Sequence, residues 1–438
     1  MTAKASIFTH GCRLNQAESA LIADDLQQAG YKIVPWNNDA EVLVINSCVV
    51  TSKAARKARQ TANSARRENP HSLIVLTGCG AENIDDRIAD EKVFDLAVAN
   101  KNKRSIPSAV RNFLSPREAD YSADISDPSV HDLFTEPGCG YYSERTRANI
   151  KIQEGCDSFC SYCIVPLTRG NPRSRQWEDV IREAQMLVSR GHRELVLTGV
   201  NIALYNDNGR TLTDLLYKLQ ELDGDFRIRL SSTEPCAELT PIINAVKDLP
   251  RVCRFLHIPM QYGSDKVLKS MNRRYTAKEC SRFIQYAADK VPDICIGSDI
   301  IVGFPGETEE DFQECLDNIK SLPLAYLHIF RYSPRRGTTA AKYVEHIDGK
   351  TVAERRKRLE KTAQKKSEAF TTSMKGKKFR VLTEYKNTAG YWEGWTDNYL
   401  RAEISDNYTS LQPNQFIEVI AEEVKPNRRI KVKPESQI

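Results

Sequence analysis

The chain has 438 residues, a net charge of +5, 40% hydrophobic residues and 28% charged residues. These proportions are those of a soluble globular protein, and the length allows two or three domains with separate cores. No stretch approaches the roughly twenty consecutive apolar residues of a membrane span, and the opening Met1-Thr2-Ala3-Lys4 does not begin a secretory signal peptide. Twelve cysteines in such a chain predict metal or catalytic use in the cytosol rather than a disulfide framework.

Residues 1–115 alternate between strand and helix patterns. The two runs at 42–45 and 73–76 are continuously apolar, as is typical of strands buried in a parallel sheet. The alternation predicts an N-terminal doubly wound parallel α/β domain. Its predicted strands are residues 5–9, 42–45, 73–76 and 94–99, and its predicted helices are residues 15–29, 51–67, a segment reaching residue 90, and 103–113.

Three cysteines, Cys12, Cys48 and Cys79, each follow one of these strands. The carboxyl ends of parallel strands lie on one edge of the sheet, so we expect the three thiols to converge there. Three converging thiols predict an iron–sulfur cluster with one open iron. Three unrelated buried cysteines are the alternative.

Residues 116–146 are predicted to be a linker, because prolines and glycines occur there among many Asp and Ser without a sustained period. Cys139 lies in this segment with no partner spacing, and we assign it no role.

A second group, Cys156, Cys160 and Cys163, has the spacing C-x3-C-x2-C. Thiolates this close together can bind one soft metal centre. A structural zinc site closes with four ligands, and an ordinary iron–sulfur cluster takes one thiolate per iron. No fourth Cys or His lies nearby in the sequence, so a cubane held here would leave one iron open to a small molecule. Buried cysteines or a zinc knuckle are the alternative.

From residue 147 the alternation resumes, and residues 147–372 are predicted to form one unit with a charged connecting helix at 348–374. Roughly six βα units predict a partial, TIM-like (βα)6 barrel with its active site at the carboxyl ends of the strands. The predicted strands are residues 148–153, 194–198, 227–230, 255–258, 294–302 and 326–330, and the predicted helices are 177–190, 212–222, 240–249, 277–290 and 309–321.

Polar and glycine residues follow several of these strands. A glycine allows close approach of the backbone to a ligand, and hydroxyl and carboxylate groups suit a ribose or an ammonium group. Each of these turns alone has an ordinary βα turn as its alternative, but together with the Cys156 loop they predict a cofactor site. The candidates are Thr198, Gly199, Asn201, Ser232, Glu234, Gln261, Gly303 and Phe304.

Residues 373–436 contain five short strand patterns, at 379–383, 391–396, 400–404, 417–422 and 430–432. They predict a small antiparallel, OB-like barrel, a fold that commonly binds single-stranded nucleic acid. Its aromatic residues are candidates to stack on bases, and core packing is the alternative for each. These residues are Tyr391, Trp392, Trp395 and Tyr399.

Basic residues are concentrated in three runs, at 53–67, 350–380 and 425–433. A single run of this kind is usually a solvated helix face. Three runs together favour a polyanionic partner such as RNA.

The Cys156 loop resembles that of the radical S-adenosylmethionine (SAM) enzymes, and the three-part order resembles their methylthiotransferase family across nearly the whole chain. That family joins an N-terminal methylthiotransferase domain, a radical-SAM barrel and a C-terminal TRAM domain. One departure is Tyr262, where relatives often have Ser. The motifs that carry the resemblance are His10-Gly11-Cys12-Arg13-Leu14-Asn15-Gln16, Asn46-Ser47-Cys48-Val49-Val50-Thr51, Gly78-Cys79, Leu256-His257-Ile258-Pro259-Met260-Gln261-Tyr262-Gly263-Ser264 and Asp299-Ile300-Ile301-Val302-Gly303-Phe304-Pro305-Gly306-Glu307-Thr308.

The resemblance implies two [4Fe–4S] clusters. The first, on Cys156, Cys160 and Cys163, would cleave SAM to methionine and a 5′-deoxyadenosyl radical. An auxiliary cluster, on Cys12, Cys48 and Cys79, would be methylated on a sulfur before that sulfur is transferred to adenine C2. No acid–base residues are needed for this chemistry, because the cofactors carry it.

The motif at 46–51 and the following residues 54–60 look most like the branch that modifies N6-threonylcarbamoyladenosine at position 37 of tRNA. Its implied partners are the anticodon stem-loop of ANN-decoding tRNAs and an electron donor such as flavodoxin or ferredoxin. The other branches, which modify isopentenyladenosine 37 or an aspartate of a ribosomal protein, remain alternatives. A non-catalytic RNA-binding iron–sulfur protein is a further one.

Overall fold

The computed structural model describes residues 2–36, 39–50, 52–82, 93–114, 140, 142, 146–404 and 411–435. Cys139, most of the predicted linker and the predicted helix from residue 83 to residue 90 lie outside these residues. None of the helices in the described part is long and apolar enough to cross a membrane.

The N-terminal unit is a five-stranded parallel sheet in the order β2-β1-β3-β4-β5. Its strands are β1 (Lys4–Thr9), β2 (Lys32–Ile33), β3 (Val42–Ser47), β4 (Leu73–Gly78) and β5 (Leu96–Ala97). Its described helices are α1 (Arg13–Gln28), α2 (Ser52–Glu68), α3 (Cys79–Glu82) and α4 (Ile106–Leu114), with a 3₁₀ turn at Asn100–Ser105 before α4.

Helices cover both faces of this sheet. On one face, Ile22 of α1 and Val110 of α4 belong to one apolar cluster with alternate residues of the strands. On the other face, Ala58 and Ala62 of α2 belong to a second cluster with the intervening strand residues. The predicted doubly wound parallel fold is therefore confirmed.

The central unit is an open barrel of six parallel strands. Two three-stranded sheets, β12-β9-β6 and β13-β14-β15, are joined by parallel bridges between Ile228 and Val252 and between Ser232 and His257. Helix α1 of the N-terminal unit packs beside the edge strand β6. The strands are β6 (Arg147–Lys151), β9 (Glu194–Thr198), β12 (Arg227–Leu230), β13 (Phe255–His257), β14 (Cys295–Val302) and β15 (Tyr326–Arg331).

Helices follow the strands of this barrel, and three of them begin with a capping box in which a threonine and an acidic side chain satisfy each other's backbone N–H groups. Two short hairpins and two short helices were not predicted, since elements of so few residues show no period. The helices are α5 (Val165–Arg169), α6 (Trp177–Ser189), α7 (Leu212–Gln220), α8 (Leu239–Asp248), α9 (Asp265–Ser270), α10 (Ala277–Lys290), α11 (Glu309–Ser321) and α12 (Gly349–Thr372), and the hairpins pair β7 (Gln153–Glu154) with β8 (Arg173–Ser174) and β10 (Asn206–Asp207) with β11 (Arg210–Thr211).

The C-terminal unit is a closed five-stranded barrel in the order β16-β17-β18-β20-β19. Four of its pairings are antiparallel, as predicted, and the β18–β20 pairing is parallel. An odd number of strands cannot alternate in direction all the way around a closed barrel, so one pair must be parallel. The strands are β16 (Lys378–Lys386), β17 (Trp392–Trp395), β18 (Arg401–Ile404), β19 (Phe416–Lys425) and β20 (Arg429–Pro434).

A buried ion cluster joins the C-terminal barrel to the amino ends of the central strands. Glu194 accepts hydrogen bonds from Arg227 at 2.6 Å and from Arg229 at 2.8 and 3.0 Å. The same two arginines donate to the backbone carbonyls of Trp395 and Thr396 at 3.0 and 3.1 Å. One carboxylate therefore orients both cations that hold the C-terminal barrel in place.

We expect Glu194→Gln to destabilise the protein by about 3–5 kcal/mol at neutral pH, because it leaves two buried guanidinium groups without their anion. Burial opposes ionisation of Glu194, but the charges of Arg229 and Arg227 outweigh it and hold its pKa well below the ordinary range. This stabilisation is present above the carboxyl's unfolded pKa, about 4.3, and is lost as the pH falls through the folded value. The unfolding temperatures of wild type and variant, measured from pH 7 to pH 3, should differ less as the solution becomes more acidic.

The matched control is Glu221→Gln, which removes an exposed carboxylate paired with Lys218. It is expected to leave the unfolding temperature unchanged at every pH. If the difference in unfolding temperature between Glu194→Gln and wild type stayed constant from pH 7 to pH 3, the ionised carboxylate would not be what stabilises the docked barrel.

Part of the basic run at 350–380 also serves packing. Arg355 of α12 pairs with Glu307 at 2.8 Å, and Lys366 donates to the backbone carbonyls of Lys320 and Leu322. These side chains tie α12 to the central barrel, which leaves the exposed Lys357 and its neighbours as the solvated face.

Candidate active site

The Cys156 loop begins directly after β7 with a turn that only glycine can make. Gly155 has φ +74°, and a Cβ atom there would lie 1.9 Å from the carbonyl oxygen of Asn171. The next residue, Cys156, donates its backbone N–H to the Gly170 carbonyl at 3.1 Å. The start of the loop is therefore packed against the segment at Gly170 and Asn171, which follows the loop.

The three thiols of this loop lie close enough to affect one another. Burial, together with the neighbouring Cys160 and Cys156 thiols, raises the pKa of Cys163 to about 12. Without a metal the Cys163 thiol is thus protonated at neutral pH, and binding of iron there would release a proton. The Cys163 N–H donates to the Cys160 carbonyl at 2.9 Å, which fixes the spacing of the last two ligands.

Two predicted cofactor residues share a cavity with Cys160. Asn201 donates to Glu234 at 3.2 Å, and Arg273 links Glu234 to the Cys160 sulfur, to which it donates at 3.1 Å. Among the described residues the buried Oδ1 of Asn201 has no donor. An unused acceptor beside a carboxylate is suited to an ammonium group or a hydroxyl. Cys236 also lines this cavity, and no role in the site was predicted for it.

Gln153 holds the turn after β9 against the cysteine loop. Its side-chain oxygen accepts the N–H groups of Val200 and Asn201 at 3.0 and 2.9 Å. A Cβ atom on Gly199 would lie 2.8 Å from the Gln153 carbonyl oxygen, so glycine is required there for packing. Thr198 is buried, and its carbonyl accepts the Ile152 N–H at 2.9 Å.

The remaining predicted cofactor residues lie around the rim of the barrel. Ser232 pairs its backbone with His257, and Gln261 adopts the left-handed conformation with φ +63°. The N–H groups of Gly303 and Phe304 donate to Glu307 at 2.7 and 3.2 Å. The ring of Phe304 is buried and packs edge-on against Tyr162 of the cysteine loop, which gives it a supporting position.

The second thiol set lies at the carboxyl edge of the N-terminal sheet, as predicted from the strand ends. Gly11 abuts Cys48, since a Cβ atom on Gly11 would lie 2.7 Å from the Cys48 Cβ. Burial, together with the Cys79 and Cys12 thiols, raises the pKa of Cys48 to about 12. Asn15 donates to Asn46 Oδ1 at 3.0 Å and so joins the two loops.

Both sets fit a multinuclear cluster better than a single ion. In the described part of the chain only His257, Asp299 and His328 bring three ligand atoms within 4.8 Å of one another. The cysteine sets are wider, as expected where each sulfur binds a different iron.

A buried charge network connects the two thiol sets. Arg169, at the end of α5, donates to the Cys79 sulfur at 3.2 Å, to Glu18 at 2.7 Å and to Glu154 at 2.8 Å. Burial opposes ionisation of Glu154, but the Lys151 and Arg169 charges outweigh it and lower its pKa to about 2. The network was not predicted. The clue in the sequence was that charged residues such as Glu18 lie on helix faces that are otherwise buried.

Comparison with known proteins agrees with this arrangement. Residues 150–319 match the radical SAM superfamily, and residues 4–99 match the family described as uncharacterized protein family UPF0004. The chain is 34% identical over 400 residues to a threonylcarbamoyladenosine tRNA methylthiotransferase MtaB from Aquifex aeolicus, covering 91% of this chain and 95% of that protein. The chain belongs to the radical SAM methylthiotransferase family.

A second relative bears another name. The tRNA-2-methylthio-N(6)-dimethylallyladenosine synthase of Thermoanaerobacter pseudethanolicus is 35% identical, covering 86% of this chain and 81% of that protein. Among solved structures, the radical SAM methyltransferase TsrM from Kitasatospora setae has a TM-score of 0.56 at 13% identity, covering 75% of this chain and 73% of that one. That likeness concerns the fold alone. Membership of the family implies a transferase that carries a [4Fe–4S] cluster and SAM.

Inside the barrel of this methylthiotransferase, two histidines share one carboxylate. Asp299 lies 3.0 Å from His257 Nε2 and 3.4 Å from His328 Nδ1, and His257 Nδ1 lies 3.0 Å from the Tyr326 hydroxyl. Burial opposes ionisation of Asp299, but the two histidines outweigh it and lower its pKa. None of these three side chains was predicted to be a site residue.

Three of the four aromatic residues predicted to stack on bases pack within the protein. Trp392 is buried in the core of the C-terminal barrel. Trp395 and Tyr399 stack on each other with ring centroids 4.7 Å apart, next to Arg229 and Arg147 of the central barrel. Tyr391 is half-buried.

Proposed function

We propose that this enzyme inserts a methylthio group at C2 of N6-threonylcarbamoyladenosine at position 37 of tRNA. The observation that supports the proposal best is the pair of three-cysteine sets, joined through Arg169, with Cys79 on one side and Glu154, next to the Cys156 loop, on the other. The printed name of the Aquifex aeolicus relative supports the choice of substrate.

The proposal assigns Cys156, Cys160 and Cys163 as ligands of the SAM-binding [4Fe–4S] cluster. When bound, that cluster supplies the electron that splits SAM to methionine and the 5′-deoxyadenosyl radical. Asn201 and Glu234 are proposed to orient the polar groups of SAM, and their position in the cavity beside Cys160 supports this role. The wider set proposed to line or support the SAM site is Thr198, Gly199, Asn201, Ser232, Glu234, Gln261, Gly303 and Phe304.

Cys12, Cys48 and Cys79 are proposed to hold the auxiliary [4Fe–4S] cluster, which would provide the transferred sulfur. The chain's own contribution there is Arg169, whose guanidinium lies against Cys79 and is buried. A buried cation beside thiolate ligands stabilises their negative charge.

The RNA is proposed to be the anticodon stem-loop, held through its phosphates. Lys53, Arg56 and Lys57 are exposed near the start of α2, the end of the helix closest to Cys48. Arg66, at the other end, pairs with Asp95 instead. A flavodoxin or ferredoxin would supply electrons, and a tRNA substrate would place the enzyme in the cytoplasm.

The proposal is tested by mass spectrometry of nucleosides from bulk tRNA of a strain lacking the gene. We expect loss of 2-methylthio-threonylcarbamoyladenosine and accumulation of the form without the methylthio group. Wild-type complementation should restore the product, and a Cys156→Ala copy should not. Unchanged nucleosides would contradict the proposal.

The isopentenyladenosine branch is the second candidate, because a relative with that printed name is 35% identical to this chain. In the same experiment, loss of the 2-methylthio-isopentenyl nucleoside would establish it. A change in neither nucleoside would direct attention to a ribosomal-protein aspartate.

A further inference from the structure

A cavity of about 490 Å³ lies where the three units of the chain meet. One wall is Arg13, the residue that directly follows Cys12 in the sequence. Another wall is Val196, in the middle of strand β9 of the central barrel. The other lining residues are Gln16, Thr146, Arg147, Asn149, Glu384, Tyr385 and Tyr399.

Arg13 is a cation of this cavity that forms no ion pair with a carboxylate of the described residues. Its Nη2 donates to the Tyr399 hydroxyl at 3.2 Å, while its Nη1 is buried and has no acceptor in the described part of the chain. The other cation, Arg147, pairs with Glu384 at 2.9 Å. A buried N–H group without an acceptor is unfavourable, so this geometry is suited to an anion that enters the cavity.

The surroundings of Arg13 add to its positive potential. Arg428 contacts the same tyrosine, 5.4 Å from the Tyr399 ring centroid, and its Nη1 is likewise buried without an acceptor among the described residues. Gln16 and Asn149 hydrogen-bond to each other at 3.3 Å on the cavity wall and add amide groups that can contact a polar ligand.

We propose that Arg13 binds a carboxylate in this cavity and, resting on the proposed function, that this is the carboxylate of the threonylcarbamoyl group on adenosine 37. The planar guanidinium pairs with a carboxylate through two parallel hydrogen bonds. An isopentenyl group has no charge and gains nothing from Arg13. A backbone phosphate is the other anion in the RNA, and the test separates the two.

The experiment measures binding of the anaerobically reconstituted full chain to three anticodon stem-loops of one sequence. They carry threonylcarbamoyladenosine, its neutral threonine-amide analogue, or unmodified adenosine at position 37. We expect the wild type to bind the carboxylate RNA about tenfold or more tighter than the amide RNA. In Arg13→Gln the two affinities should become equal, with binding of the amide RNA unchanged.

The matched control is Arg56→Gln, which replaces an exposed arginine of α2. It should weaken the binding of all three RNAs alike, because it removes only a proposed phosphate contact. Visible absorbance and iron content show whether each variant holds its clusters. If Arg13→Gln does not, Tyr399→Phe serves instead. It removes the hydroxyl that fixes Arg13 and should reduce the preference about threefold.

A preference that survives Arg13→Gln would overturn the carboxylate site while leaving the proposed function standing. Equal weakening of all three RNAs would overturn it in favour of a phosphate contact. A wild type that neither prefers nor methylthiolates the threonylcarbamoyl RNA would instead contradict the proposed function itself.

Discussion

Alanine at Cys156, Cys160 or Cys163 is expected to reduce 5′-deoxyadenosine formation to the background without enzyme. Each thiol would bind a separate iron, so the loss of one thiol removes one of the three ligands that hold the cluster. Alanine at Cys12, Cys48 or Cys79 is expected to leave SAM cleavage measurable and to abolish the methylthiolated product. Anaerobic assays with dithionite, read by liquid chromatography and mass spectrometry, measure both products.

The control is Cys315→Ala, a buried cysteine of α11 outside both sets, which should retain cleavage and product. Iron content should fall by about half in each set of variants, since each removes one of two clusters. Methylthiolated product from a Cys79→Ala enzyme would show that the second thiol set is not the source of sulfur.

Arg169→Met is expected to destabilise the protein by about 3–5 kcal/mol, because Glu18 and Glu154 would be left buried with less compensation. Both carboxylates are almost fully buried, and Arg169 lies between them, with one on each side of the junction between the N-terminal sheet and the central barrel. The loss should appear as a lower thermal unfolding midpoint, or as a separate early transition of the N-terminal unit.

Arg210→Met is the matched control, since Arg210 pairs with Glu178 on the surface. Its midpoint should equal that of the wild type because exposed ion pairs contribute little. Lys103 pairs with Glu18 at 2.6 Å and Lys151 pairs with Glu154 at 2.8 Å. An Arg169→Met midpoint that also equals the wild type would mean that these two lysines alone compensate the carboxylates. Arg169→Lys should recover part of the loss, as it restores the charge but not the two-sided hydrogen bonding.

Local patterns predicted the elements that carry their own signals. Strands β9 and β12 have the predicted bounds, and so do α10 and α11. The two helices begin at Thr276 and Thr308, whose capping boxes mark a helix start independently of tertiary packing. The convergence of Cys12, Cys48 and Cys79 followed from strand order alone, because every strand of a parallel sheet ends on one edge.

Contacts between units could not be predicted in this way. Arg169 and Cys79 are 90 residues apart, and their contact depends on how α1 packs beside β6. The same holds for Tyr399, whose pattern resembled a base-stacking surface but whose ring lies against the central barrel. Such pairings depend on domain docking, for which a single sequence carries no periodic signal.

The anchoring of the C-terminal barrel by Glu194 has a geometric consequence. Because Arg227 and Arg229 are each held by Glu194 and by carbonyl groups of the C-terminal barrel, that barrel cannot swing relative to the Cys156 loop without breaking several buried bonds. RNA bound to the C-terminal barrel, the partner that its OB-like fold predicts, would be held at a fixed distance from the reacting atoms. The enzyme would then select the nucleotide by its distance from the RNA stem and not by the identity of the neighbouring bases.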